Sequence, residues 1–537
     1  MSMRTFARFS GFALALVGAV AATALVTISS WWWLVAAVPL WLAVLVGVYD
    51  LVQPHHSVLR NYPVLGHFRF ALESLRPELQ QYFIERDTHG TPFDRNARSL
   101  IYERAKGVNQ EQPFGTELDV YAPGAEWLIH SAAPKSPPAD QHRVTVGGPQ
   151  CIQPYEMALL NVSAMSFGAL SANAILALNE GARRGGFAHD TGEGGLSRYH
   201  LEKGGDLVWE IGSGYFGCRT AHGDFDPKQF ADAAAEPAVK CISVKLSQGA
   251  KPGIGGVMPA AKMTEEIASA RGVPAHEKCV SPPAHSAFST PIGLLEFVAE
   301  LRDLSGGKPT GFKLCVGSRT DMLAICKAIL ATSIIPDFII VDGSEGGTGA
   351  APLEFEDHVG TPLTEGLTIV RDTLVGCDLK RHIKVGASGK VSSGSDIVKR
   401  LIQGADYTNA ARAMMMAVGC IQAQRCHTNT CPVGVATQDP KRSRALVVED
   451  KAERVRRFQH ETVHSAQRLI AAMGLDGPEQ LHAGHLMERV DAHTVHSFDK
   501  LHPSLATGSL LSEPPESWAA AWNAASASTF DAVPVRA

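Results

Sequence analysis

The chain has 537 residues, of which 45% are apolar and 19% charged, with a formal net charge of −5. That balance can bury a large core, excludes a wholly disordered chain and offers no basic excess for nucleic acid. Its 50 glycines are too aperiodic for collagen and point to loops where backbone comes close to a ligand.

No charged residue occurs between Arg8 and Asp50. The stretch splits into Gly11–Ile28 and Trp31–Tyr49, each about the 17–25 residues a bilayer-spanning helix needs. Trp31, Trp32 and Trp33 sit at the join, as an interfacial aromatic belt would. A cleaved signal peptide also starts with basic residues and an apolar run, but the second run favours a transmembrane hairpin over residues 1–52. Arg4 and Arg8 before it and Arg60 and Arg69 after it place both ends, and the catalytic domain, on the cytoplasmic side. Residues 53–149 read as a juxtamembrane extension packing on the main domain.

From about residue 150, short apolar runs alternate with amphipathic stretches. The runs predicted as strands are 159–164, 187–189, 241–246, 278–281, 311–316, 337–341, 382–385 and 405–409. Helical patterns cover 172–184, 294–304, 320–331 and 394–402, and 446–475 reads as a closing helix. Eight β-then-α units in about 260 residues match a TIM (β/α)8 barrel, an α/β fold. A doubly wound sheet also alternates, but no G-x-G-x-x-G follows the first strand. The main domain is taken as 150–475. Residues 476–537 form a C-terminal extension whose end is expected to be poorly ordered.

Four glycine-dense loops follow predicted strands, on the face where TIM-barrel active sites lie: 191–195, 249–256, 342–349 and 386–389. Gly386, Ser388 and Gly389, with Ala411 and Arg412 after the last strand, occupy the usual phosphate position of the fold. A phosphate there implies a phosphorylated cofactor such as FMN. Seven of the ten cysteines are scattered and read as buried thiols. Cys420, Cys426 and Cys431 are clustered, and Pro432 follows the last. Three thiolates at this spacing suit an iron–sulfur cluster; zinc or no metal are the alternatives.

Met165-Ser-Phe-Gly168, Thr191–Gly195, Gln248-Gly-Ala-Lys-Pro-Gly253, Ser281-Pro-Pro283, Gly346-Gly-Thr-Gly349 and the run Cys426–Gln438 resemble, in order, the FMN-binding synthase domain of glutamate synthase. The resemblance implies a TIM barrel carrying FMN, with a [3Fe-4S] cluster on Cys420, Cys426 and Cys431. It implies reduction of 2-iminoglutarate, made from 2-oxoglutarate and ammonia, to L-glutamate by flavin hydride, the cluster relaying electrons. Lys251 and Arg271 are the implied carboxylate holders and Glu193 a further catalytic candidate. Met165, Ser166, Gly168, Lys313, Gly346, Gly347 and Gly349 are implied flavin contacts, with a weaker case for Lys245. Val257 stands where the family commonly has Gln, and Ile254 and Leu196 where it usually has Glu, so the substrate is open. An alternative is a membrane-linked FMN dehydrogenase oxidising an amino or hydroxy acid. With no dinucleotide fingerprint and no leading nucleophilic cysteine, electrons are expected from ferredoxin, a reductase subunit or a membrane donor. Nitrogen is expected as free ammonia, as an amine or from a partner.

Overall fold

The computed structural model describes residues 3–531, and the chain divides into two compact units, Met1–Gly90 and Thr91–Ala537. In the first, α1 (Met3–Ile28) and α2 (Leu34–Val52) pack on each other through Ala15, Ala19 and Val44. Small side chains there let the helices approach closely. Trp31–Trp33 form a 3-10 turn between them. Both helices are long and apolar enough, by length and composition, to cross a membrane. A single-turn helix, Ser57–Asn61, leads to α3 (Gly66–Leu79), which runs on as a wider π turn to Ile84. Residues 53–90 therefore belong with the apolar helices, and only 91–149 belong with the barrel unit.

In the second unit eight parallel strands close a barrel. They are β1 (Leu160–Val162), β2 (His189–Asp190), β3 (Leu207–Ile211), β4 (Val239–Lys245), β5 (Thr310–Leu314), β6 (Phe338–Asp342), β7 (Lys384–Ser388) and β8 (Tyr407–Ala410). Strand β8 pairs back onto β1, Thr408 opposite Leu160. The expected count of eight holds, but one member differs. The 278–281 run lies outside the barrel: Cys279–Val280 pairs antiparallel with Val257–Met258 in an excursion between β4 and β5. The strand in its stead is β3, all five of whose residues are buried.

Alternation along each strand sorts the barrel. Outward residues such as Ile242, Val244, Phe312, Ile339 and Val385 meet the helix layer. The inward residues at the N-terminal end are apolar, with Val208, Cys241, Phe338, Ile340 and Tyr407 in one cluster. An antiparallel pair, Arg143–Val146 with Tyr155–Ala158, adds Val146 and Met157 to that cluster and closes the floor. Gly386 faces this floor: a Cβ there would stand 2.7 Å from the Tyr407 ring. The expected C-terminal disorder is not seen up to residue 531. Helix Glu516–Ala524 buries Trp518, whose ring lies 4.2 Å under the Arg319 guanidinium, and Lys327 Nζ donates to the Ala525 carbonyl at 2.9 Å. Residues 532–537, part of the same expectation, lie outside the described residues.

Candidate active site

One polar side chain per strand position crowns the barrel at its C-terminal end: Ser163, Asp190, Glu210, Lys245, Lys313, Asp342, Ser388 and Asn409. Seven of them continue the inward alternation of their strands and Ser163 follows β1 directly. Lys245 and Lys313 lie opposite each other on β4 and β5. Each is buried and each has a carboxylate. Lys313 Nζ pairs with Glu210 of β3, and Lys245 Nζ with Glu193 at 2.7 Å. Burial alone would lower the Lys313 pKa, but Glu210 and Asp190 raise it above the usual value. Burial, and then Glu210, push the Asp190 carboxyl up, while Lys313 and the Gly192 amide work to lower it. Ser163 and Ser388 face each other, Oγ to Oγ, at 3.2 Å.

Above this ring the loops converge. Lys251 is buried, donates to the Gly255 carbonyl at 3.0 Å and is lowered to about 8, mainly by burial. Arg271 ends the helix Glu265–Arg271 with its guanidinium 4.9 Å from the Phe216 ring centre. Its closest hydroxyl is Ser166 Oγ at 3.5 Å, and its Nε is buried without a partner. For Glu193 burial works to raise the pKa, yet Lys245, Lys251 and Arg271 together hold it at about 2. Three cations thus share a cage with one carboxylate. Neither Lys251 nor Arg271 forms an ion pair among the described residues, so two positive charges are left over.

The other sequence-predicted residues fall around this cage. Met165, Ser166 and Gly168 form the loop after β1. Gly346, Gly347 and Gly349 lie in the loop after β6, where Gly349 leaves room for Cys426, whose Cβ is 3.2 Å from the glycine's absent Cβ. Close approach is needed also at Gly249, which sits against the Gly343 carbonyl. Arg412 follows β8, donates to the Glu345 carbonyl at 2.6 Å and stacks 5.1 Å from the Phe93 ring. Gly389 and Lys390 follow β7, and Ala411 caps the helix Arg412–Val418. Burial and nearby Arg412 lower the Lys390 pKa, so two cations crowd the ends of β7 and β8. Gly386 and Ser388 lie inside β7 rather than in its loop.

Cys420, Cys426 and Cys431 share one loop. Burial pushes the Cys420 thiol up to about 12; burial and Cys431 raise Cys426. Among the described residues no three His, Cys, Asp or Glu side chains are arranged to hold a single metal ion. The donor chemistry, three soft thiols, suits iron–sulfur ligation. The loop is braced from residues 91–106: Tyr102 donates to the Cys420 carbonyl at 2.8 Å, and Gln422 Nε2 to the Phe93 carbonyl at 3.1 Å. Sequence reasoning missed four participants: Asp190, Glu210, Lys262 and Lys390. Buried Lys262 donates to the Ala169 carbonyl at 2.8 Å and reaches those of Cys426 and Ala436 at 3.4 Å, joining the β1 loop to the cysteine loop. A charge inside the apolar run Leu207–Ile211 was the one legible signal for Glu210.

Removing one partner of a buried ion pair strands the other. Glu210→Gln is expected to cost about 3–5 kcal/mol of stability in chemical unfolding. The double change Glu210→Gln with Lys313→Met recovers most of it. Equal losses in the single and double variants would show that the pair does not carry this energy.

The conserved region in glutamate synthase matches residues 140–476. A glutamate synthase large subunit-like protein of Bacillus subtilis, YerD, is 36% identical over 507 residues, 87% of this chain and 96% of that protein. The archaeal glutamate synthase [NADPH] of Methanocaldococcus jannaschii is 33% identical over 321 residues, 60% of each chain. The glutamate synthase [NADPH] large chain of Azospirillum brasilense is 31% identical over 353 residues, 64% of this chain and 22% of that one. This chain thus spans about three-fifths of the archaeal relative and a smaller part of the Azospirillum chain. With its barrel crowned by buried charge and the signature region matched from end to end of that barrel, the chain belongs to the glutamate synthase family, oxidoreductases acting on CH–NH2 groups.

Proposed function

We propose that this protein reductively aminates 2-oxoglutarate, or a closely related 2-oxo dicarboxylate, to the amino acid, at a barrel tethered to the cytoplasmic membrane by its apolar hairpin. The single observation that carries this reading is the cage charge. Three cations against Glu193 leave two positive charges, the number a dicarboxylate neutralises. Lys251 and Arg271 hold the two carboxylates. Buried cations keep their attraction because little water screens them.

Condensation with ammonia expels water and gives the imine. A hydride added at carbon and a proton at nitrogen complete the amino acid. FMN, when bound, supplies that hydride. The residues present fit it: Lys390 and Arg412 would hold its phosphate, the Ser163 and Ser388 hydroxyls and the Lys313 ammonium would offer polar groups to its ring, and the loops at Met165–Gly168 and Gly346–Gly349 would contact it through backbone. Cys420, Cys426 and Cys431 hold a [3Fe-4S] cluster fed by an external electron donor.

A second reading, oxidation of an amino acid with electrons leaving toward the membrane, is favoured by Val257, which cannot hydrogen-bond a 2-oxo acid. Stopped-flow spectroscopy separates the two. Oxidation of pre-reduced flavin by 2-oxoglutarate plus ammonia is the expected result. Flavin bleaching by L-glutamate alone, with no reoxidation by the first pair, would replace the proposal by the second reading.

Lys251 carries its charge below about pH 8 and loses it above. At fixed free ammonia, the KM for 2-oxoglutarate is therefore expected to rise as pH passes about 8. Lys251→Arg keeps the charge and flattens that rise; an unchanged profile in the variant would exclude Lys251 as the titrating group. Cys426→Ser is expected to lose iron on anaerobic purification while retaining FMN. Full iron content in that variant would remove Cys426 from the ligand set.

A further inference from the structure

Helix α3 carries an apolar stripe that nothing in its own unit covers. Phe68, Leu72, Leu75, Leu79 and Tyr82 recur at steps of four and three residues, which places them on one face. All are exposed, Phe68 by 66%, and Phe83 at the end of the stripe by 81%. Beside the stripe, Arg69 Nε donates to Glu73 Oε1 at 3.0 Å.

The start of this helix is fixed against the ends of α1 and α2. Asp50 is fully buried near the end of α2, and its carboxylate accepts the Val64 amide at 2.9 Å and His67 Nε2 at 2.9 Å. The Leu65 side chain fills the space beside Gly11, and Val64 reaches to 3.0 Å from the absent Cβ of Gly47. Arg8, at the start of the first apolar stretch, donates to Asn61. Gly11 and Gly47 lie one turn inside the two apolar stretches, so α3 begins at the level where those stretches meet polar sequence.

We infer that α3 and its continuation to Ile84 lie in the membrane–water interface, with Phe68, Leu72, Leu75, Leu79 and Phe83 among the lipid acyl chains. The inference rests on the tether reading of the hairpin. An amphipathic helix held at that depth buries its stripe only by turning it into lipid, while Arg60, Arg69 and Arg76 reach the headgroups. Buried this way, α3 makes the anchor a three-point one, two spans and a surface helix.

The test uses the full chain in phosphatidylcholine–phosphatidylglycerol vesicles containing a phospholipid with a diazirine on its acyl chain. After illumination, adducts are mapped by mass spectrometry. The expected result is adducts at residues 68–84 as well as within 8–52. The triple variant Phe68→Gln, Leu72→Gln, Leu75→Gln, all exposed positions that leave folding intact, loses the first set and keeps the second. Adducts confined to 8–52 in the unaltered chain would overturn this inference and leave the tether standing. Adducts in neither segment would overturn the tether and this inference with it.

Discussion

Two lysines on adjacent strands, Lys245 and Lys313, lie inside a closed barrel, and the site above them depends on how their charge is met. A buried ammonium without a partner is strongly disfavoured. Glu210 of β3 neutralises one, and Glu193 from the loop after β2 reaches across to the other. The first pair is sealed within the ring. The second is at its mouth, so the Glu193 carboxylate is drawn into the same space as Lys251 and Arg271. The barrel ring and the cage of loop cations above it are thus joined through one acidic side chain.

That arrangement also limits the repulsion among Lys245, Lys251 and Arg271, which converge on Glu193. With Glu193 removed, three cations would repel one another in a poorly screened space. With a second acid present, the excess positive charge of the cage would be halved.

Much of this was legible in the sequence, and the misses have physical causes. The helix 394–402 agrees end for end because Ser393 and Asp396 form a capping box around a strongly amphipathic stretch. The strand Leu207–Ile211 escaped notice because both its faces are buried, so it lacks alternation, and Glu210 makes it look like surface. The run 278–281 was taken in its stead because a short flap that pairs only with Val257–Met258 has the same composition as a barrel strand. The glycine loops were read as room for a ligand. Gly386 makes room for Tyr407 and Gly249 for a neighbouring loop, contacts between distant residues that no local pattern encodes. Lys262 gave no signal at all, because its three partners are backbone carbonyls.

Those carbonyls bear on how the β1 loop and the cysteine loop are held. Lys262 binds Ala169 of the β1 loop and Cys426 and Ala436 of the cysteine loop through one ammonium. Gln438, just past the cysteines, donates from the same amide to Gly168 at 3.0 Å and Leu170 at 2.8 Å. Every one of these contacts ties the segment expected to touch the flavin to the segment expected to hold iron. Charge-assisted bonds to backbone leave neither loop free to move without breaking the other's partners. Side-chain substitutions within either loop leave such bonds in place, because the acceptors are main-chain atoms. The spacing of the two loops is thereby held by Lys262 and Gln438, outside both sets of expected contact residues.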